Sequence, residues 1–170
     1  GHDREQDLRG ALREPGGQHT PGLYAVMDTF LGRFAGAVGD RAPIALVGDG
    51  AMQMNNMAEL ITVAKYHQRW ANQTFVVCVL NNEDLNQVTW EQRVMEGNPK
   101  AEMTQRVPDV PYHKFAELIG LKGIFVDDPE RLSPAWEEAL SAGRPCVLEV
   151  KTDPEVPPLP PHIKFEQAKA

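Results

Sequence analysis

The sequence predicts an α/β fold, a parallel sheet with helices on both faces. Over about 130 residues, short apolar runs typical of buried strands alternate with segments whose apolar residues recur every three or four positions. No polar residue interrupts the run from Phe75 to Leu80, which suits a strand covered on both faces. Right-handed crossovers then bring the carboxyl ends of the strands to one edge, where ligands of such sheets bind.

The elements follow one another in a regular order. We expect strands over 44–47, 75–80, 123–126 and 145–150, and helices over 23–38, 52–66, 112–120 and 132–142. Residues 85–95 should form a turn and a short helix over the strand ends, whereas 97–111, with its three prolines, should be a loop or flap. The apolar spacing of the second helix predicts a buried face formed by Met54, Met57, Leu60, Ile61 and Ala64.

The two ends of the chain depart from this pattern. Residues 1–22 are polar and broken by prolines and glycines, so we expect a flexible leader, and its first two residues are typical of a cloning remnant. Residues 23–152 form the predicted domain. Residues 153–170 form a C-terminal tail, and we expect its proline-rich part, 153–161, to be extended.

The composition excludes several classes of protein. With 17 lysines and arginines against 24 acidic residues, the formal charge is −7, and no basic stripe suits nucleic acid. No apolar run reaches membrane-spanning length and no signal peptide is visible, so we expect a cytoplasmic protein. Cys78 and Cys146 lie in apolar runs and should be buried thiols. An acidic chain that binds a polyphosphate needs a metal or a helix N-terminus to supply positive potential.

Two polar motifs end neighbouring predicted strands. Gly48-Asp49-Gly50 follows the first strand, and Asn81-Asn82 follows the second. The glycines allow close approach to a ligand, but the carboxylate of Asp49 would repel a diphosphate unless a divalent cation lay between them. Magnesium is usually held by one or two protein oxygens together with phosphate oxygens. The protein ligands of the magnesium ion would be the Asp49 carboxylate, the Asn82 amide oxygen and a nearby backbone carbonyl.

Other interpretations of these motifs remain open. A Walker-type phosphate loop would need a lysine and a serine or threonine after Gly50, and the sequence has neither there. A dinucleotide fingerprint would need a third glycine where Gln53 stands, and its acidic residue would come well before Glu83. Gly-Asp-Gly is also compatible with an ordinary strand-to-helix turn in which Asp49 caps the helix. The pairing with Asn81-Asn82 favours the metal site.

Longer stretches carry a resemblance to a known family. The segments GDGAMQMNNMAELITVAKY, VVCVLNNEDLNQVTWEQRVMEG and RPCVLEVKTDPEVPPLPPHI resemble the C-terminal diphosphate-binding domain of the thiamine-diphosphate-dependent pyruvate oxidase, acetolactate synthase and 2-keto acid decarboxylase family. The resemblance implies thiamine diphosphate and Mg²⁺ as cofactors, with the metal held by Asp49, Asn82 and the backbone carbonyl of Asp84. It also implies a diphosphate surface at Gly48, Gly50, Ala51 and Met52, and thiazolium and substrate contacts at Leu85, Gln87 and Val88. Trp90, Glu91 and Gln92 fall near a family segment that closes the active site.

The same resemblance implies a function. Family members decarboxylate, oxidise or join 2-keto acids such as pyruvate, and they need a separate pyrimidine-binding domain or subunit, so this chain should be inactive alone and part of a homo-oligomer. Some relatives carry FAD in a middle domain, for which this chain has no site. Many members have Gly-Met-Val where this sequence has Asn86-Gln87-Val88, so the substrate preference does not carry over. The alternatives are a non-catalytic assembly module or truncated remnant with the same fold and, less favoured, a dinucleotide-binding oxidoreductase.

Overall fold

The computed structural model describes residues 41–157, apart from the side chains of Asn55, Asn56 and Glu96. The predicted leader, the predicted helix over 23–38 and tail residues 158–170 lie outside the described residues. Among the described residues, no helix combines the length and apolar character that a membrane crossing requires.

Within residues 41–157, four parallel strands form the sheet. They are β1 (Ile44–Gly48), β2 (Val76–Asn81), β3 (Lys122–Val126) and β4 (Cys146–Lys151), in the spatial order β1-β2-β4-β3. Each predicted strand boundary lies within one residue of the observed one. The predicted fold class is confirmed, because unbroken apolar runs form strands that are covered on both faces.

Helical segments connect the strands. α1 spans 49–66 and consists of Asp49–Ala51, a π-helical turn at Met52–Asn56 and a regular helix at Met57–Tyr66, followed by a 3-10 turn at His67–Arg69. The others are α2 (Asn86–Glu91, continued by a π-helical turn at Gln92–Glu96), α3 (Glu102–Gln105), α4 (Tyr112–Leu118) and α5 (Leu132–Leu140, after a 3-10 turn at Pro129–Arg131). The loop predicted over 97–111 therefore contains a short helix, α3, that its flanking prolines obscured.

Helices cover both faces of the sheet. On one face, α5 packs in a core cluster that consists of Val76, Cys78, Ile124, Val126, Ala135, Ala139, Cys146 and Leu148. On the other face, α4 lies so close to β3 that a Cβ on Gly123 would be 2.1 Å from the carbonyl oxygen of His113. Gly123 therefore permits the approach of α4. Cys78 and Cys146 are buried free thiols, as predicted, and burial raises the pKa of Cys146 to about 11.

The buried face of α1 differs from the predicted one. Leu60 is buried as predicted, but Met54 and Ile61 are 66% and 55% exposed, and Met52 and Val63 are buried instead. The π-helical turn adds one residue to the helix, which rotates residues before it relative to those after it by about 100°. The predicted buried face assumed a regular 3.6-residue period. That period does not continue across this turn.

The tail also begins differently from its prediction. Residues 153–156 form a turn in which the Val156 N–H donates to the Asp153 carbonyl over 3.3 Å. The carbonyl of Pro154 accepts hydrogen bonds from Asn86 Nδ2 (2.6 Å) and Trp90 Nε1 (3.0 Å). The extended course predicted for this part of the tail is wrong, because polar side chains of α2 hold the Pro154 carbonyl against the domain.

Candidate functional site

The two motifs meet at the carboxyl edge of the sheet. Gly48, the last residue of β1, is in register with Leu80 of β2, so Asp49 comes next to the end of β2. Gly48 occupies the N-cap position of α1, and Asp49 is the first residue inside the helix. Asp49 is therefore not the N-cap residue of its helix, which differs from the simple turn considered above.

The Asp49 carboxylate bridges the motifs through backbone amides. Its Oδ2 accepts the N–H groups of Asn82 (3.1 Å) and Glu83 (2.5 Å), and its Oδ1 accepts the N–H of Gly50 (2.8 Å). Glu83 has a φ of +58°, a left-handed conformation in which successive N–H groups converge on one acceptor. One side chain from the first motif thus fixes the loop of the second.

This carboxylate is buried without a cation. Asp49 is 2% exposed, and burial raises its pKa, although the N–H groups of Gly50, Glu83, Asn82 and Asp84 lower it in part. No lysine, arginine or histidine among residues 41–157 forms an ion pair with it. Buried charges in proteins are normally paired or bound to metals, so Asp49 is open to a positive partner.

The lysines at this edge are engaged elsewhere. Lys100 Nζ lies 3.0 Å from Asp84 Oδ1, and this hydrogen-bonded carboxylate raises the pKa of Lys100. Lys151 Nζ lies 2.8 Å from both Glu83 Oε1 and Asp109 Oδ1. Both ammonium groups therefore neutralise carboxylates other than Asp49.

The two asparagines have different environments. Asn81 ends β2 and is 1% exposed, and its Nδ2 donates to Glu149 Oε1 (2.8 Å) and Asp109 Oδ1 (3.1 Å). Asn82 follows the strand, and its Oδ1 accepts the N–H of Asp84 over 3.1 Å. An amide oxygen has a second lone pair, so Asn82 retains an acceptor position beside Asp49.

Another buried carboxylate at this edge, besides those of Asp49 and Asp84, was not anticipated from the sequence. Glu149 is 1% exposed in β4, and its Oε2 contacts the backbone N–H of His113 (3.1 Å) and His113 Nδ1 (2.5 Å). The His113 ring also lies 5.0 Å from that of Phe125, centroid to centroid. The available signal was a glutamate inside the apolar run of the last strand.

The remaining predicted cofactor residues have mixed environments. A Cβ on Gly50 would lie 2.6 Å from Cδ2 of Leu85, so the Leu85 side chain covers this glycine. Met52 is fully buried. The residues that are exposed are Gly48, Ala51, Gln87 and Val88.

Residues 90–92, which were predicted to lie near a segment that closes the active site, are bound to other parts of the chain. Trp90 is buried and bonds to the tail at Pro154, and Arg93 stacks 4.2 Å from the Trp90 ring centroid. Gln92 Oε1 accepts from Gln105 Nε2 over 2.5 Å, whereas Glu91 is exposed. α2 is therefore anchored at its buried face, with Gln87 and Val88 on its exposed side.

A cleft of about 280 Å³ opens beside Asn82 and Glu83, bordered also by Lys100, Arg106 and Lys151. Ligand pockets usually measure roughly 300–1,000 Å³, so this cleft can accept only part of a cofactor. Among the described residues, no cluster of three histidine, cysteine or acidic side chains could bind a metal. One carboxylate with amide and main-chain oxygens nevertheless fits Mg²⁺, which takes few protein ligands.

Comparisons with known proteins agree on one family. Residues 9–150 match the family model described as "Thiamine pyrophosphate enzyme, C-terminal TPP binding domain". The chain is 40% identical over 130 residues to "Putative thiamine pyrophosphate-containing protein YdaP" of Bacillus subtilis (strain 168), covering 76% of this chain and 21% of that protein. It is 32% identical over 121 residues to the mitochondrial acetolactate synthase catalytic subunit of Aspergillus candidus, covering 71% and 16%.

A solved structure adds to the sequence matches. The thiamine diphosphate-dependent 4-hydroxybenzoylformate decarboxylase of Rhodococcus jostii RHA1 superposes with a TM-score of 0.57 at 26% identity, over 67% of this chain and 20% of that one. This chain thus spans only 21% and 16% of the lengths of the two relatives above. Because the family match covers most of its length, the chain belongs to the thiamine pyrophosphate enzyme family, as a C-terminal TPP-binding domain.

Proposed function

We propose that this domain holds thiamine diphosphate through a Mg²⁺ ion bound by the side chains of Asp49 and Asn82 and by the backbone carbonyl of Asp84. The observation that carries the proposal is the buried Asp49 carboxylate, which has backbone donors but no cationic partner among the described residues. A divalent cation would offset the desolvation that raises its pKa. It would also link the acidic edge of the sheet to a diphosphate.

The remaining residues at this edge would form the surface around the cofactor. The backbone of Gly48, Gly50, Ala51 and Met52 would lie along the diphosphate, at the N-terminus of α1, whose dipole favours an anion. Leu85, Gln87 and Val88 would face the thiazolium and the substrate. The cofactor, when bound, supplies carbanion stabilisation at its thiazolium ring, and the chain supplies binding and orientation.

The substrate class we propose is a 2-keto acid of the pyruvate type, which the complete enzyme would decarboxylate, oxidise or join to a second molecule. Relatives named as an acetolactate synthase and a benzoylformate-type decarboxylase support this class. A separate pyrimidine-binding domain or subunit would complete the site, within a homo-oligomer. The small cleft supports a shared site.

Thermal unfolding with and without the cofactor tests the proposal. Thiamine diphosphate and Mg²⁺ at about 100 times the dissociation constant should stabilise the parent by about 2.7 kcal/mol. Asp49→Asn should abolish this stabilisation, whereas Asp127→Asn, at an exposed aspartate after β3, should retain it. Equal stabilisation of the parent and Asp49→Asn would refute the metal assignment, and stabilisation by NAD instead would favour the dinucleotide alternative.

Turnover tests the enzymatic half of the proposal. The chain should release no carbon dioxide from pyruvate alone and should release it when mixed with a polypeptide that contains the missing pyrimidine-binding domain. Stable association without turnover, for every 2-keto acid offered, would instead favour the assembly module. Asp49→Asn provides the matched control, because it should associate normally and remain inactive after mixing.

A further inference from the structure

A tyrosine from α4 reaches the first motif. Tyr112 is fully buried, and its hydroxyl donates to the backbone carbonyl of Asp49 over 3.3 Å. The same hydroxyl accepts a hydrogen bond from Gln53 Nε2 at 2.8 Å. Gln53 Nε2 also donates to the carbonyl of Pro108 at 2.6 Å. Two side chains therefore connect the segment before α4 to the first turns of α1.

We propose that Tyr112 is a positioning residue that sets the orientation of the Asp49–Gly50 peptide, and through it the Asp49 carboxylate, towards the cofactor; this inference rests on the proposed function. The Asp49 carbonyl also accepts the N–H of Met52, so its two lone pairs have one partner inside the helix and one outside. The outside partner, Tyr112, is the one that can define the direction of this peptide relative to the sheet.

The hydroxyl has a role separate from that of the ring. A phenylalanine would fill the same buried space, but it would leave the amide of Gln53 without this acceptor and the Asp49 carbonyl without this donor. Burial raises the pKa of Tyr112, so the hydroxyl stays protonated and able to donate at neutral pH. Buried hydroxyls normally have such partners.

The same segment of chain also contacts the second motif. Asp109 Oδ1 accepts from Asn81 Nδ2 at 3.1 Å. His113 contacts Glu149, which in turn accepts from Asn81. Residues 109–113 therefore touch both strand ends, and Tyr112 makes the contact with the first one. Loss of its hydroxyl should shift Asp49 relative to Asn82 without removing either residue.

The test uses the full 170-residue chain, with Tyr66→Phe as the matched control. Tyr66 ends α1 and lies next to Lys65 and Arg69, so the control removes the same atom away from the motifs. In amide NMR spectra recorded without cofactor, Tyr112→Phe should shift the Gly50, Asn82 and Glu83 signals and speed their hydrogen exchange. Tyr66→Phe should leave all three unchanged. Unchanged signals in Tyr112→Phe would overturn the proposal, whether or not the parent binds the cofactor. Failure of the parent to bind the cofactor would separately refute the proposed function.

Binding measurements provide the second readout. With Mg²⁺ and thiamine diphosphate, Tyr112→Phe should raise the dissociation constant about 3- to 10-fold, as expected for the loss of one hydrogen bond. Tyr66→Phe should leave it unchanged. A Gln53→Leu, Tyr112→Phe double variant should bind no more weakly than Tyr112→Phe, because the two side chains act as a unit. A hydroxyl with only a structural role would lower the urea midpoint and leave the dissociation constant at the parent value, which would overturn the proposal.

Discussion

Two carboxylates at the same edge of the sheet are equally buried and differently partnered. Glu149 and Asp49 are 1% and 2% exposed. Glu149 contacts the Asn81 amide and both the backbone N–H and the ring of His113. Asp49 receives backbone N–H groups alone and has no cationic partner among residues 41–157. The comparison distinguishes Glu149, which is hydrogen-bonded by side chains of the fold, from Asp49, which is available to a ligand.

Position along the strands explains the difference. Glu149 lies within β4, in register with Val79 and Phe125, where α4 covers the sheet and supplies His113. Asp49 lies just beyond β1, where the chain turns into α1 and backbone amides converge. Glu149 therefore meets side chains from β2 and α4, whereas Asp49 meets backbone N–H groups of the two motifs. Burial alone therefore does not distinguish structural from ligand-binding carboxylates in this domain.

Removal of the structural carboxylate should have the largest effect. Glu149→Ala removes one of the two acceptors of the Asn81 amide and leaves the backbone N–H of His113 without its carboxylate, so we expect a loss of about 3 kcal/mol in the free energy of unfolding. Urea denaturation without cofactor measures it. Glu138→Ala is the matched control, because Glu138 is half-exposed and pairs with Lys122, and such pairs contribute about 0.2–1 kcal/mol. A loss for Glu149→Ala no larger than that of the control would contradict the comparison.

A change beside Asp49 should have an intermediate effect. In Gly50→Ala the new methyl group would lie 2.6 Å from Leu85 Cδ2, and the resulting overpacking should cost about 1–3 kcal/mol. Gly48→Ala is the control, since no atom lies within 4 Å of the corresponding Cβ position and the backbone φ of −75° suits alanine. Urea midpoints of the two variants should therefore differ. Equal midpoints would show that the Leu85 side chain moves aside freely.

The pH dependence of stability should show the smallest effect. The folded state raises the pKa of Asp49 above its ordinary 3.8, so the folded chain binds this proton more tightly than the unfolded chain does. The contribution of Asp49 to stability therefore falls as pH rises from 3.8 through the raised pKa, and it is lowest at neutral pH. The stability of Asp49→Asn relative to the parent should increase over that window, as measured by urea denaturation without metal. A difference independent of pH would contradict the burial penalty.

The strand positions and the meeting of the two motifs could be predicted from the sequence. Strand positions follow from unbroken apolar runs, and the approach of Asp49 to Asn82 follows from parallel strands that share a carboxyl edge. The face of α1 could not be predicted, because the π-helical turn changes its period. The contacts of Glu149 with His113 and of Tyr112 with Gln53 join residues 36 and 59 positions apart, and no periodicity encodes such pairs.

Metal binding at Asp49 tests the central claim most directly. Mn²⁺ can replace Mg²⁺, and its free concentration can be followed by electron paramagnetic resonance during titration of the chain with thiamine diphosphate present. We expect a single cofactor-dependent Mn²⁺ site in the parent and in Asp127→Asn. In Asp49→Asn the affinity for Mn²⁺ should fall by at least roughly 10–100-fold. Loss of a residue that only supports a metal ligand already costs that much, and loss of the ligand itself should cost no less. Unchanged Mn²⁺ affinity in Asp49→Asn would contradict the claim that this buried carboxylate is a metal ligand.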